Sequence, residues 1–251
     1  MSKGIALITG AADRIGAAIA RSMAAHGYQT IVHYNSSAQK ADTLVEEIRA
    51  EGGEAKSIGA DLLDNEARDR LIEEASSLFG PINILVNNAS IFLPDNISAL
   101  EPELWQKHFG IHAEAPMFLT RDFAAQLPED IEGNIINLID QRVWALKPTF
   151  FSYTLSKSVL WSATQTAAQS LAPRIRVNAI GPGPTIKNIH QTEEQFQKEL
   201  QALPLQKGPE LDEIANAVHF ILASPSFTGQ MLALDGGEHL MWTHKGENIA
   251  Q

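Results

Sequence analysis

Apolar positions along the chain fall into two alternating patterns. Short runs rich in aliphatic and β-branched residues predict strands at Ile5–Thr9, Thr30–Tyr34, Ala55–Ala60, Ile82–Asn87, Gly133–Leu138, Arg176–Ala179 and Gln230–Ala233. Longer stretches with apolar residues three and four apart predict helices at Ile15–His26, Ala38–Glu51, Asn65–Leu78, Glu101–Gln126, Ser152–Leu171 and Asp212–Ala223. The run Ile82–Asn87 is apolar almost throughout, as suits a parallel strand covered on both faces. Seven strands alternating with six helices predict one α/β domain spanning residues 1–251, a Rossmann-type doubly wound parallel sheet. One stretch breaks the alternation. Gly181–Gly208 is about 28 residues long and bracketed by prolines, and a connection of that length is usually functional. It is expected to cover a substrate pocket, with a short helix at Glu193–Leu200.

Composition narrows the function classes. With 30 acidic against 19 basic side chains the net charge is −11, which argues against a nucleic-acid partner. No cysteine is present, so disulfides, thiolate zinc sites and a cysteine nucleophile are excluded. The eight histidines show no HExxH-type spacing, and no metal site is expected. No apolar run reaches the roughly 18 residues of a membrane span. The opening MSKGIALITG enters a strand directly, without the apolar region of a signal peptide, so a cytoplasmic protein without a membrane partner is expected.

The candidate chemistry lies at the ends of the predicted strands. The first strand runs into TGAADRIG, Thr9–Gly16, where Gly10 and Gly16 let backbone approach a pyrophosphate at a helix N-terminus. Two glycines alone make a weak signal. After the fourth strand comes NNAS, Asn87–Ser90; after the fifth, Asp140 precedes Tyr153 by thirteen residues, with Lys157 four further on. After the sixth comes Gly181–Pro184, holding Pro182 and Gly183. All four fall at one sheet edge, the carboxyl edge where open α/β sheets bind ligands. The i, i+4 spacing puts Tyr153 and Lys157 on one helix face, where the ammonium favours tyrosinate and suits Tyr153 to proton transfer.

The turn Thr9–Gly16, the NNA of Asn87–Ala89, the YTLSK of Tyr153–Lys157, the PG segment and the LDGG of Leu234–Gly237 together resemble the short-chain dehydrogenases/reductases over essentially the whole chain. Three departures resemble one branch, the pteridine reductases and bacterial dihydromonapterin or dihydrofolate reductases. Arg14 replaces the middle glycine of the turn, Asp140 the usual serine, and Ser90-Ile91-Phe92 follows NNA. The resemblance implies that Arg14 contacts cofactor phosphates and pterin, that Phe92 stacks on the pterin, and that Ser90 touches both ligands. It also implies that Asp140 and Tyr153 face the reacting ring and that Lys157 holds the nicotinamide ribose. The chemistry agrees: a flat pterin suits an aromatic platform, and reducing a C=N bond needs a proton at nitrogen.

Acidic residues that bind an unphosphorylated ribose are missing at the second strand, where His33, Tyr34, Asn35, Ser36 and Ser37 stand. NADPH is therefore expected over NADH, held also by Ile15, Asp61, Leu62, Asn88 and Ala89. Two departures weigh against it, since the related pteridine reductases carry an arginine at Ser36 and a basic residue at Asp13. The expected activity is NADPH-dependent reduction of a small molecule, a pterin or dihydropterin of biopterin, monapterin or dihydrofolate type. The rivals are a carbonyl reductase or alcohol dehydrogenase acting on a small ketone, and a non-catalytic dinucleotide sensor. Two readings stay open and a third is single. His112 is either part of a water relay or a packed histidine; Trp144 and Leu146 either wall the pocket or pack in the core; His190 is expected to be exposed. Family members commonly form tetramers, and Met241 and Trp242 in the tail are candidates to reach a neighbour in a homotetramer.

Overall fold

The computed structural model describes residues 2–188 and 191–241. Its strands are β1 (Ile5–Ile8), β2 (Gln29–Tyr34), β3 (Ala55–Gly59), β4 (Ile84–Asn87), β5 (Gly133–Leu138), β6 (Ile175–Pro182) and β7 (Met231–Leu234). They form one parallel sheet in the order β3-β2-β1-β4-β5-β6-β7. The helices are α1 (Arg14–Ala25), α2 (Ala38–Ala50), α3 (Asn65–Phe79), α4 (Pro102–Phe109), α5 (Ala115–Gln126), α6 (Phe151–Leu171), α7 (Glu193–Gln201) and α8 (Leu211–Leu222).

Alternation along the strands feeds two apolar layers. Ala6 and Ile8 of β1 join Val32, Val86 and Ile136 on one face, against Ile19 and Met23 of α1, Ile48 of α2 and Val218 of α8. Leu7 joins Ile31, Leu85 and Ile135 on the other, against Leu71 of α3 and Leu119 and Phe123 of α5. Both sheet faces are thus buried, which is why the central strands read as nearly continuous apolar runs. From β1 the chain crosses to β2 on one side, while β4 pairs on its other side. The crevice where the strand order reverses opens at their carboxyl ends. No helix of the described residues is long and apolar enough to cross a membrane.

Two expectations are corrected. The single helix over Glu101–Gln126 is two, α4 and α5, joined by a π-helical turn at Gly110–Glu114. Pro116 opens α5 and has no N–H to return to the preceding turn, so the hydrogen-bond ladder widens there. Strand β6 runs past Ala179 to Pro182, because Gly181 and Pro182 pair with Ala233 and Leu234 of β7. The long connection therefore starts at Gly183. Within it α7 is closed by a capping box between Thr192 and Gln195.

Candidate active site

A cavity of about 800 Å³ lies along the carboxyl edge of the sheet across the β1/β4 crevice. At one end it is lined by Asp61 and Leu62 after β3 and by Tyr34, Asn35, Ser36 and Ser37 at the end of β2. Gly10, Arg14, Ile15 and Gly16 line its middle. Asn88, Ala89, Ser90, Phe92, Asp140 and Tyr153, with Pro182 and Gly183, line the other end.

The glycine turn is built for close approach. A Cβ on Gly16 would lie 2.6 Å from the Gly10 carbonyl oxygen and from Asn88 Nδ2, and one on Gly10 would lie 2.9 Å from Ala89 Cα. Asn88 braces the turn: its Nδ2 donates to the Thr9 and Gly10 carbonyls at 2.8 and 3.0 Å. The Gly10 N–H donates to Nδ1 of His33, at 3.1 Å, and His33 Nε2–H donates to the Ala60 carbonyl at the same distance. Burial holds His33 down at about 4, so the ring stays neutral and keeps Nδ1 as an acceptor. It serves the turn rather than supplying a cation. In α1 the Ala17 N–H makes the first bond back to the Asp13 carbonyl, at 3.2 Å, so the amides of Ile15 and Gly16 face out of the helix end. That end favours an anion.

Arg14 has φ +54°, the left-handed region, which costs an ordinary residue about 1–2 kcal/mol. The conformation accounts for the glycine that the family usually places there. Here the strain accompanies a tether: the Arg14 guanidinium donates to the carbonyls of Ile186 and Lys187, at 3.1 and 3.2 Å. The long connection is thereby fastened over the glycine turn. Asp13, beside it, is paired with Lys40 at 2.6 Å, and the Lys40 hydrogen bond holds its carboxyl below the usual range.

At the other end, Tyr153 Oη donates to Asp140 Oδ2 at 2.9 Å, while Asp140 Oδ1 accepts the Arg142 amide at 2.8 Å. The expected lowering of the Tyr153 phenol by Lys157 is overturned: burial first, and then the Asp140 carboxylate, push it well above 10, so it holds its proton firmly. Lys157 lies beneath this pair. Its Nζ donates to the Leu138 carbonyl at 2.7 Å and stands 5.9 Å from the Tyr153 ring centroid. Only 2% of Lys157 is exposed, and burial pulls its ammonium down to about 8. Lys157 does not line the cavity itself.

Phe92 lies flat on Phe150, with centroids 4.1 Å apart and planes within 7°, and meets Tyr153 edge-on at 4.8 Å. A substrate ring stacking on Phe92 must therefore use the face that Phe150 does not cover. Ser90 Oγ donates to His112 Nε2 at 2.9 Å, and the Ile91 amide reaches the same nitrogen at 3.2 Å. His112 Nδ1–H donates to Ser156 Oγ at 2.9 Å, so both ring nitrogens are taken by protein. Burial keeps His112 well below its usual pKa and neutral. His112 is a packed histidine with both ring nitrogens satisfied by protein.

Trp144 and Leu146 neither wall the cavity nor pack in the core; they are 44% and 65% exposed. Trp144 instead meets the ring of His239 at 5.5 Å. His190 and Trp242 lie outside the described residues, and Met241 is the last described one. Sequence reasoning did not single out Arg142, Phe150 or Glu238, which also line the cavity. Glu238 carries a short ion pair with Lys147. The only local signal for these three was their place downstream of a strand end.

A parallel α/β sheet with a glycine turn, a switch-point cleft and a Tyr/Lys pair at its far end defines a Rossmann-fold oxidoreductase. Residues 10–239 match the family model described as enoyl-(acyl carrier protein) reductase, and the chain belongs to the short-chain dehydrogenases/reductases. It is similar to FolM alternative dihydrofolate reductase 1 of Brucella canis, solved with NADP, at 47% identity and a TM-score of 0.95, covering 99% of this chain and 98% of that one. The Brucella suis protein of the same name, also solved with NADP, gives 47% identity and a TM-score of 0.94, covering 97% and 98%. A 3-oxoacyl-[acyl-carrier-protein] reductase of Staphylococcus epidermidis is 31% identical over 240 residues, 94% of this chain and 98% of that protein.

Proposed function

We propose that the protein reduces a pterin or dihydropterin at the expense of NADPH. The observation that carries this is the Tyr153–Asp140 hydrogen bond at the end of a cleft shared with the aromatic face of Phe92. The cleft fits the dinucleotide: Gly10, Gly16 and the free amides of α1 would take the pyrophosphate, Asp61 and Leu62 the adenine, and Ser36 and Ser37 a 2′-phosphate that no acid at the end of β2 repels. When bound, the nicotinamide supplies a hydride. Tyr153 gives its proton to the substrate ring nitrogen, Asp140 orients the phenol, buried Lys157 stabilises the phenolate left behind, and a proton from solvent, relayed through Asp140, then restores the phenol. The two Brucella neighbours support the substrate class by their names.

The Staphylococcus relative favours a second reading, reduction of a ketone in a 3-oxoacyl chain. Asp140 weighs against it. A carbonyl oxygen gathers negative charge as hydride arrives, and a carboxylate 2.9 Å from the donor phenol opposes that charge. A basic ring nitrogen can take its proton before or as hydride arrives, so no negative charge develops there and a nearby carboxylate does not oppose the step. The family expectation of a homotetramer is part of the proposal, with the apolar face of Phe109, Met117, Leu155 and Val159 as the surface it would bury.

Loss of NADPH absorbance with dihydrobiopterin, dihydromonapterin and dihydrofolate, beside acetoacetyl thioesters and with NADH in parallel, tests the proposal. Turnover of a pterin with NADPH is expected; turnover of thioesters alone would contradict it.

Two further results follow from the geometry. Arg14→Gly relieves the left-handed strain, so thermal stability is expected to hold or rise by up to about 1 kcal/mol. NADPH affinity is expected to fall about tenfold, because the charged tether to Ile186 and Lys187 is lost. Melting curves and fluorescence titration measure both. The second result concerns pH. Lys157 loses its charge above about 8, so kcat/KM is expected to fall on an alkaline limb centred there. The sign for stability is opposite: between about 8 and 10.5 the unfolded lysine is protonated and the folded one is not, so this group's contribution to stability rises with pH across that window.

A further inference from the structure

We propose that Asp95 is a positioning residue that sets the aromatic shelf and Tyr153 in register with each other. Asp95 does not line the cleft. It lies three residues beyond Phe92, after Pro94, and its contacts run to the start of α6, 57 positions later.

That helix start lacks a cap of its own, because Phe150 at the N-cap position has no side chain to serve. Asp95 supplies one from a distance. Its main-chain carbonyl accepts the amides of Phe150 and Phe151 at 2.9 and 3.4 Å. Its carboxylate accepts the Ser152 amide at 3.2 Å on each oxygen, and the Ser152 hydroxyl closes a short bond to Oδ2. Three successive amides and one hydroxyl thus end on one residue, and the carboxylate faces the positive end of a 21-residue helix.

The same clasp holds Phe150 in a left-handed conformation, φ 55° and ψ 51°. A bulky residue stays there only where its surroundings over-determine it. The conformation accompanies the flat contact of the Phe150 ring on Phe92. The next residue after Ser152 is Tyr153.

A second fastening completes the frame. Ser152 Oγ, its proton given to Asp95, accepts from His108 Nδ1 at 2.7 Å. One turn along α6, Ser156 accepts from His112, which holds Ser90 and the Ile91 amide. His108 and His112 are both buried and lie nearly parallel, with centroids 5.7 Å apart. Segment 90–95, with Phe92 in its middle, is therefore pinned to α6 at both ends, on either side of Tyr153. The His112 clasp sits at the cleft; Asp95 itself does not line it and reaches it only through the Phe150 that it holds.

The role of Phe92 here rests on the pterin reading; the placing of Tyr153 does not. Steady-state kinetics of Asp95→Ala and Asp95→Asn, with NADPH affinity measured by fluorescence titration, tests both. In Asp95→Ala, kcat is expected to fall about tenfold to a hundredfold, since small misplacement of reacting groups has that effect. The pterin KM should rise severalfold and NADPH affinity should stay at the wild-type value. Asp95→Asn keeps an acceptor oxygen for Ser152 and should regain most of kcat. Ser152→Ala, which keeps the backbone bonds, should move kcat and KM in the same direction by less. Wild-type kinetics in Asp95→Ala, or NADPH affinity falling in step with kcat, would overturn the assignment; if Asp95→Ala does not fold, wild-type kinetics in Ser152→Ala would do so. If the wild-type enzyme reduces no pterin, the pterin reading fails, and the kcat comparison is made on the ketone it does reduce.

Discussion

Tyr153→Phe is expected to lower kcat for pterin reduction by about 100- to 10,000-fold, the usual worth of a positioned general acid, while NADPH affinity stays within about twofold of wild type. The ring remains in place in the variant, so its edge contact with Phe92 and its packing near His112 persist. What disappears is the hydroxyl that donates to Asp140 at 2.9 Å. Asp140 then loses a hydrogen-bond donor but keeps the Arg142 amide, so the carboxylate is not orphaned and folding should be little affected. A thermal melt within a few degrees of wild type, alongside the kinetic loss, separates chemistry from stability. A kcat reduced less than tenfold would mean that the proton comes from elsewhere.

Asp140→Ser should split the two candidate substrate classes. Pterin kcat/KM is expected to fall roughly 10- to 100-fold, the equivalent of losing one hydrogen bond to a charged group. Ketone reduction should be preserved or improved, because the carboxylate that opposes a developing oxyanion is replaced by a hydroxyl that can donate to it. The substitution also removes the charge that, after burial, holds the phenol proton most strongly. Steady-state rates on one dihydropterin and one acetoacetyl thioester, measured side by side, give the ratio directly. Equal losses on both substrates would show that Asp140 merely positions Tyr153 and does not select the substrate.

Much of the fold was legible because parallel strands covered on both faces leave an unbroken apolar record, as in Leu85 and Val86 of β4. The cleft was legible for a related reason: its motifs all follow strand ends, and strand ends of a doubly wound sheet share one edge. Features set by long-range contact left no such record. Apolar periodicity runs straight through Gly110–Glu114, since His108 and His112 turn inward and are buried like the apolar residues around them; only their serine partners 44 residues away explain them. Nothing local to Asp95 or Phe150 marks them as partners. The left-handed backbone at Arg14 was equally silent in composition, although the glycine that usually stands there pointed to it. Trp144 and Leu146 read as buried or pocket residues because large apolar side chains usually are, yet their turn leaves them outside.

The central claim is that the cleft delivers hydride to a pterin ring in preference to a carbonyl. Internal competition tests it most directly. A dihydropterin and an acetoacetyl thioester are supplied at equal concentration with limiting NADPH deuterated at the transferring position, and the products are read by mass spectrometry. Since the product ratio reports the ratio of kcat/KM values, deuterium is expected overwhelmingly in the tetrahydropterin. Deuterium found in the 3-hydroxyacyl product instead would contradict the reading and leave a carbonyl reductase in its place.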